Sequence, residues 1–338
     1  MPPVTSRTVA RDVLMRVEEG AYSNVVLPAV LRRSDLSLRD RAFTTNLVYG
    51  TLRRLRRLDA LIDEFGRRPV AKLDPPVRAA LRLGAAQLLD GIPAHAAVSE
   101  TVSVAPARAR GYVNAVMRAL ADSGPVWPES SDDAVALSYP DWIVERLSGD
   151  LGATDARAAL EAQNVSPAVT LRPNPVRTDA DSLAVELEAA GVSVERGRLV
   201  PTALVVRGTG DPATLPAVAD GRATPQDQSS QAVIDLLAPE PGDRVLDVAA
   251  APGGKATACA ERVGASGLVV ASDIDAGRLR LVVDASQRLG LLQVAPVVAD
   301  GRHLPVRPAA FDRVLVDAPC SGLGVLRRRP EARWRMEE

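Results

Sequence analysis

Four short apolar runs in the back third of the chain, each carrying an acid at or near its end, leave few folds open to it. They are RVLDVA (244–249), LVVASDI (268–274), APVVAD (295–300) and DRVLVDAP (312–319), and helical stretches at about 256–264 and 276–289 separate them. Apolar runs of this length alternating with helices predict parallel strands joined by crossovers, which is a doubly wound α/β sheet. In such a sheet the C-terminal ends of the strands face the ligand crevice. The acids therefore converge on one place.

The first run leads into DVAAAPGGKATACAERVG. Asp247 stands at the strand end, and Pro252, Gly253 and Gly254 make a tight turn into a helix. Glycines let the backbone approach a ligand closely, and a helix N-terminus attracts negative charge. Asp273 closes the second strand roughly twenty residues beyond the turn, the spacing at which an acid binds ribose hydroxyls in dinucleotide folds. Asp300 closes the third strand, with Gly301 after it, where an adenine would lie. A glycine turn with two acids at successive strand ends predicts a nucleoside-type cofactor.

The fourth run ends in Asp317-Ala318-Pro319-Cys320-Ser321-Gly322, so topology places Cys320 where chemistry would occur. Cys259, inside the helix after the glycine turn, suits plain packing. With two cysteines and two histidines in 338 residues, a disulfide framework, a four-ligand zinc site and histidine-rich metal chemistry are excluded, and no metal is expected. Were the nucleoside-type cofactor a methyl donor, a thiolate beside it would suit methylation of a pyrimidine carbon. Cytosine C5 is a poor nucleophile until a thiolate adds to C6 and makes C5 enamine-like. An adjacent acid near N3 stabilises the charge developing on the ring, and a base in a helix must be unstacked to reach the site. Enzymes that methylate amino nitrogens need no thiol and typically end this strand in Asp/Asn-Pro-Pro-Tyr/Phe. From these residues alone, Cys320 is the nucleophile.

From Thr5 to Gly124 the apolar spacing is helical, and no alternating strand pattern interrupts it. Ser6 is expected to cap a helix that Gly20 ends, and Asn24 to open a second. Ser37 with Asp40 starts a long helical stretch through Phe43, Leu47, Leu58 and Ile62 to Gly66. Pro75 and Pro76 suit a first turn, and a last helix runs from about Gly111. Residues 1–125 hold 19 basic against 12 acidic side chains, a net of +7 inside a chain of net −1. That front half suggests a polyanion partner, although a solvated helical surface would look the same. Arg53, Arg54, Arg56 and Arg57 crowd two helical turns, and a phosphate would relieve their repulsion. Arg327, Arg328, Arg329, Arg333 and Arg335 follow the cysteine loop and are expected to border the crevice. Residues 125–165 read as short helices broken by Pro125, Pro128 and Pro140. AVTLRPN, VSVE and TALVVRG then read as strands around a helix, DADSLAVELEAAG, a small α+β module.

The hydrophobic share of 46% and charged share of 25% are ordinary for a globular chain. No apolar run approaches the ~18 residues of a membrane helix. MPPVTSRTVARD has no apolar stretch to act as a signal peptide, so a cytoplasmic protein without a membrane partner is expected. The oligomeric state cannot be read.

Two sets of segments carry a resemblance. GAYSNVVLPAVL, LRDRAFTTNLVYGTLRRLRRLD, ALRLGAAQLL, IPAHAAVSETV and GYVNAVMRAL resemble the NusB-like front domain of the RsmB (Sun/Fmu) family. QDQSSQAV, VLDVAAAPGGK, SDID, ADGR and FDRVLVDAPCSGLGVLRRRPEARW resemble the RsmB/Nop superfamily of RNA cytosine-C5 methyltransferases, and the NusB-like front points to the 16S rRNA enzyme. The resemblance implies an all-α NusB-like RNA-binding domain (1–125) and a helical linker with a small α+β connecting domain that helps bind RNA (126–225). A Rossmann-like S-adenosylmethionine (SAM) methyltransferase domain with an incomplete sheet follows (226–338). It also implies that SAM contacts Ala249, Ala250, Ala251, Pro252, Gly253, Gly254, Lys255, Asp273, Asp300 and Asp317. Lys255 and Asp317 would also hold the target cytosine, and ribosomal RNA would be the partner. Ala249 stands where the family often has Cys, a contact made through backbone.

In the family Cys320 is implied to help release product, and the nucleophile is a second cysteine in a Thr-Cys motif after a fifth strand. No Thr-Cys pair occurs in this sequence. The sequence is therefore expected to be a truncated product or fragment that binds RNA without turnover, with its fourth strand an uncovered edge. Two alternatives stay open: a non-catalytic NusB-like RNA-binding protein with a residual SAM fold, and a C5 methyltransferase acting on tRNA.

Overall fold

The computed structural model describes residues 4–124, 132–318 and 320–337. Pro125, Pro128 and Pro319 lie outside the described residues. The chain divides into two compact units, Met1–Pro167 with Ser321–Glu338, and Ala168–Cys320. This cut differs from the sequence segments: the last residues group with the front of the chain, and the α+β module with the parallel sheet.

The first unit is helical. Its helices are α1 (Ser6–Glu18), α2 (Ser23–Arg32), α3 (Leu38–Arg53), α4 (Leu55–Phe65), α5 (Pro75–Leu89), α6 (Ala94–Val104) and α7 (Arg110–Asp122). The shorter α8 (Asp133–Leu137), α9 (Asp141–Leu151) and α10 (Ala153–Asn164) follow. Helix α5 is central: Ala79 and Leu83 face a core with Val13, Leu47 and Val48, while Ala80, Leu81 and Ala85 face another with Leu58, Val113 and Met117. Gly84 allows the second contact, because a Cβ there would stand 2.5 Å from the Met117 sulfur.

Three expected helix starts are corrected. Thr5, not Ser6, caps α1, its hydroxyl accepting from the Thr8 N–H while Thr8 Oγ1 accepts from the Thr5 N–H at 2.8 Å. Helix α2 begins at Ser23 rather than Asn24, because Glu331 far along the chain accepts from Ser23 N at 3.0 Å and Ser23 Oγ at 2.7 Å. The long stretch from Ser37 to Gly66 breaks at Arg54, and Ser138 Oγ accepts from the Arg56 N–H at 2.9 Å at the start of α4. Distant side chains supply both latter caps, which local spacing does not reveal. Ser37 does cap α3 through the Asp40 N–H, and Pro75 opens α5 as expected.

The second unit carries two sheets. The first is antiparallel, built from β1 (Val169–Pro173), β2 (Ser193–Arg196), β3 (Leu204–Arg207) and β4 (Ala223–Pro225) in the order β2-β3-β1-β4. Helix α11 (Ala180–Ala189) covers one face with Leu183 and Leu187, α12 (Pro216–Ala219) precedes β4, and α13 (Gln228–Leu237) follows it. Strand β4 has no signal in the sequence reading. The second sheet is parallel, with β5 (Arg244–Asp247), β6 (Leu268–Asp273), β7 (Val294–Val298) and β8 (Arg313–Leu315) in the order β7-β6-β5-β8. Helices α14 (Gly254–Val263) and α15 (Ala276–Leu289) are its crossovers. All four expected strands are present, and β8 stands at the edge with Val314 half exposed. Among the described residues no helix is long and apolar enough to cross a membrane.

Candidate active site

Strand β5 delivers Asp247 to the C-terminal end of the parallel sheet, and the chain then turns through Ala249–Gly253 into α14. The Ala250 N–H donates to Ser272 O at 2.8 Å, tying the turn to β6. The Gly253 N–H donates to Ala250 O at 2.7 Å, closing it. Gly253 has φ +104°, and a Cβ there would lie 3.0 Å from the Val282 Cα, so glycine is required. The first N–H groups of α14 have no partner within the helix.

Asp247, Asp273 and Asp317 stand close enough at the strand ends to influence one another, while Asp300 lies two residues beyond β7, and each is differently engaged. Asp247 is 1% exposed, and neither carboxylate oxygen has a well-formed hydrogen bond. Burial pushes its pKa up to about 7; Lys255 and the Ala249 N–H pull against this, while Asp317 and Asp273 reinforce it. Asp273 is also buried, its Oδ2 accepting from Ala251 N at 3.2 Å and its Oδ1 from Asp275 N at 3.0 Å. Oδ1, with one bond, keeps a lone pair for a ligand hydroxyl, while Oδ2 also faces the Arg278 guanidinium. Asp300 lies at the surface, where the Arg302 guanidinium grips it and holds it well below the usual carboxylate range. Asp317 reaches back to the turn: Lys255 Nζ donates to its Oδ2 at 2.6 Å. That contact joins the glycine turn to the loop bearing Cys320, whose side chain is exposed. Cys259 is fully buried and its thiol is pushed up to about 12 by burial, so it packs and does not react. Arg278, absent from the sequence reading, donates to Ala251 O at 2.9 Å and lies 3.5 Å from Asp273. Among the described residues no cluster of three metal-ligating side chains forms.

The arginines are the larger surprise, and all lie in the helical unit. Arg54 makes a two-pronged pair with Asp90, and Arg56 pairs with Asp141 at 3.0 Å. The anion that relieves the crowding is in large part the chain's own. Arg53 is 8% exposed beside Tyr49, and its pKa is lowered by burial. The arginines after Cys320 do not form a common row. Arg333 is fully buried on the Tyr139 ring, 3.7 Å from its centroid, and Arg335 donates to Val17 O and Gly20 O at the end of α1. Arg327 donates to Val165 O at 3.1 Å, and Arg328 and Arg329 remain exposed. Arg53, Arg54 and Arg57 line one cavity of about 410 Å³ with Asn46, Asp90, Ser138 and Asn164.

Family models match the same segments: 16S rRNA methyltransferase RsmB/F over 234–338, NusB over 4–122, and a ferredoxin-like domain of RsmF/B-type methyltransferases over 139–211. A Synechocystis protein described as a probable ribosomal RNA small subunit methyltransferase B is 36% identical over 97% of this chain and 76% of its own length. The chain belongs to the RsmB/F family of RNA methyltransferases. The ribosomal RNA small subunit methyltransferase B of Citrobacter koseri is 35% identical, over 96% of this chain and 77% of its own. The crystal structure of PH0851 superposes with a TM-score of 0.78 at 27% identity, covering 99% of this chain and 79% of that one. The family is SAM-dependent and its substrate is RNA. The site fits the cofactor: a glycine turn at a helix N-terminus suits a carboxylate, and a buried carboxylate with a lone pair left on Oδ1 at the end of β6 suits a ribose.

Proposed function

We propose that the second unit carries the SAM and cytosine sites for methyl transfer to C5 of a cytosine in small-subunit ribosomal RNA, in the cytoplasm, while the helical unit holds that RNA; with no Thr-Cys pair in the sequence, turnover by these residues rests on Cys320. The observation that carries this reading is the 2.6 Å bond between Lys255 Nζ and Asp317 Oδ2. It ties Asp317, three residues before Cys320, to the helix start read as the cofactor site, which supports a thiol and a methyl donor serving one crevice. Bound SAM supplies an electrophilic methyl on a sulfonium. The Ala249–Gly254 backbone and the first turn of α14 hold its carboxylate, Asp273 its ribose, and Asp300 marks the adenine end. Lys255 and Asp317 present a donor and a carboxyl group to the edge of an unstacked cytosine; the carboxyl accepts from the N4 amino group and, carrying a proton, donates to N3. Cys320 follows in the same loop. On its residues alone its thiolate adds to C6; the resemblance gives it the later step of releasing the methylated base.

The RNA-holding surface is proposed as the cavity lined by Arg53, Arg54 and Arg57, with the exposed Arg328 and Arg329 on the same unit. Arg56 and Arg327 serve it by holding helix ends, through Asp141 at the start of α9 and Val165 O at the end of α10.

The test is methyl transfer from methyl-labelled SAM to small-subunit rRNA lacking the mark, with the product read as 5-methylcytidine. Transfer by this chain would make Cys320 the attacking thiol; retention of the RNA with no transfer would fit both the missing Thr-Cys cysteine and a binding protein with a residual SAM fold, and transfer only to tRNA would move the substrate. Cys320→Ser tests the attacking role: if the Cys320 thiolate adds to C6, the variant forms no covalent RNA adduct and transfers no methyl, because the other thiol, Cys259, is buried.

A further inference from the structure

The antiparallel sheet has two faces. Leu171, Leu204, Val206 and Ala223 enter its own core with α11. Their neighbours in β1, Thr170 and Arg172, turn to the other face and are buried at 6% and 8% exposure. A buried guanidinium needs partners for every N–H. Arg172 has them. Nε donates to Glu261 Oε2 at 2.9 Å; Nη2 to Glu261 Oε1 at 2.8 Å and Thr257 Oγ1 at 3.1 Å; Nη1 to Gly254 O at 2.7 Å and to Gln226 Oε1.

Three of those acceptors, on Gly254, Thr257 and Glu261, are spaced to share one face of α14. Gly254 is the residue at which the glycine turn becomes helix. Thr257 Oγ1 in turn donates to Gly253 O at 2.7 Å, so the grip extends one residue into the turn. Gln226, immediately after β4, flanks the same residue. Its Nε2 lies 3.5 Å from where a Cβ on Gly254 would stand, and its amide is oriented because Oε1 accepts from Arg172. The two layers are tied in the other direction as well. Arg288 of α15 donates to Val218 O at 2.6 Å and Ala223 O at 3.1 Å, and Asn174 Nδ2 to Leu289 O at 3.1 Å.

We propose that Arg172, seconded by Gln226, is a positioning residue for the SAM-binding turn, so that the α+β module governs how tightly the cofactor's amino-acid carboxylate is held. The angle of the first turn of α14 decides where its N–H groups point, and Arg172 fixes that turn from its carbonyl side. The proposal rests on the reading of Ala249–Lys255 as the cofactor site.

S-adenosylhomocysteine and 5′-methylthioadenosine separate the possibilities, because the second keeps the nucleoside and thioether but lacks the carboxylate. Calorimetric titration of both is run on the full chain, on Arg172→Lys, on Arg172→Met/Glu261→Met and on Gln226→Leu. Burial of the Cys259 thiol reports that the unit is folded. The two Arg172 variants are expected to bind S-adenosylhomocysteine about tenfold more weakly, as for one lost charge-assisted hydrogen bond. Gln226→Leu should show a smaller loss, and 5′-methylthioadenosine should change by less than about twofold. Equal weakening of both ligands would make Arg172 merely structural and overturn the proposal, as would unchanged S-adenosylhomocysteine binding in both Arg172 variants. If the unaltered chain binds neither ligand, the assignment of the turn itself falls, and the proposal with it.

Discussion

Arg172 in the second unit and Arg333 in the first are both buried guanidiniums with opposite surroundings. Arg172 faces a buried carboxylate and has an acceptor for each N–H. Arg333 faces a tyrosine ring and three oxygens, Arg53 O, Ser138 O and Asn164 Oδ1, all on Nη1, while Nε and Nη2 have no partner. Burial accordingly drags its pKa down to about 10. A matched buried ion is a lock that fails badly when one half is removed. A half-matched one is held by its surroundings and contributes little net stability.

The largest expected effect follows for Arg172→Met. It leaves Glu261, whose pKa burial already raises, without its counter-charge, and should destabilise the second unit by about 3–5 kcal/mol. The tyrosines and the tryptophans among the described residues belong to the first unit, so fluorescence is silent on the second. Labelling of the buried Cys259 thiol in urea reads it instead. Replacing Glu261 by Met as well should restore most of the loss. A single variant costing under about 1 kcal/mol would mean the pair is not desolvated in solution.

The same contrast decides what could be read from the sequence. Strand ends, the glycine turn and the acids were legible because they follow from period and from topology, whereas Lys255 came only from the family resemblance; it meets Asp317 at 2.6 Å. Arg172 was not, since a lone arginine in a short strand gives no local sign of which layer it faces. The QDQSSQAV segment was singled out, yet the place of Gln226 beside Gly254 depends on a strand, β4, too short to show. Arginines misled most. Those after Cys320 look like one basic run, but a 3₁₀ turn (Pro330–Trp334) buries Arg333 and sends Arg335 to the end of α1. A run of like charge in a sequence does not say which members have partners.

Asp247 is a buried carboxyl of the second unit without a well-formed hydrogen bond, and its signature is pH. Its folded pKa of about 7 lies above the unfolded value of 3.8. The folded state therefore keeps a proton that the unfolded state loses between pH 4 and 7, and stability falls as pH rises through that window. Asp247→Asn cannot titrate. Its stability relative to the unaltered chain should rise by about 2–3 kcal/mol between pH 5 and pH 8, read by the same thiol labelling. A pH-independent difference would place the carboxylate in contact with water.

Arg333→Met sharpens the comparison from the other side. Methionine keeps the apolar contact with Tyr139 and removes a charge with two unpartnered nitrogens. It also loses the bonds to Ser138 O and Asn164 Oδ1 and a cation–π contact of about 1–2 kcal/mol. The opposing effects should leave the first unit within about 1.5 kcal/mol of its original stability, followed by tryptophan fluorescence from Trp142 and Trp334. A loss as large as that of Arg172→Met would mean that ring and carbonyls serve a guanidinium as well as a carboxylate does.

The smallest effect on stability belongs to the partly exposed pair of Arg54 with Asp90, and it carries the most information about RNA. A double-mutant cycle on Arg54→Ala and Asp90→Ala should give a coupling under about 1 kcal/mol that shrinks further in salt. Asp90 nonetheless sits in the cavity with Arg53, Arg54 and Arg57, as an acid among three bases. A phosphate entering there must compete with it for the Arg54 fork. Asp90→Asn removes the competitor while keeping the shape of the side chain. It should leave unfolding almost unchanged, yet tighten RNA retention and steepen its dependence on log salt by about one phosphate contact. If RNA affinity and salt slope stay as they were, these arginines hold the helices together and the RNA lies elsewhere on the unit.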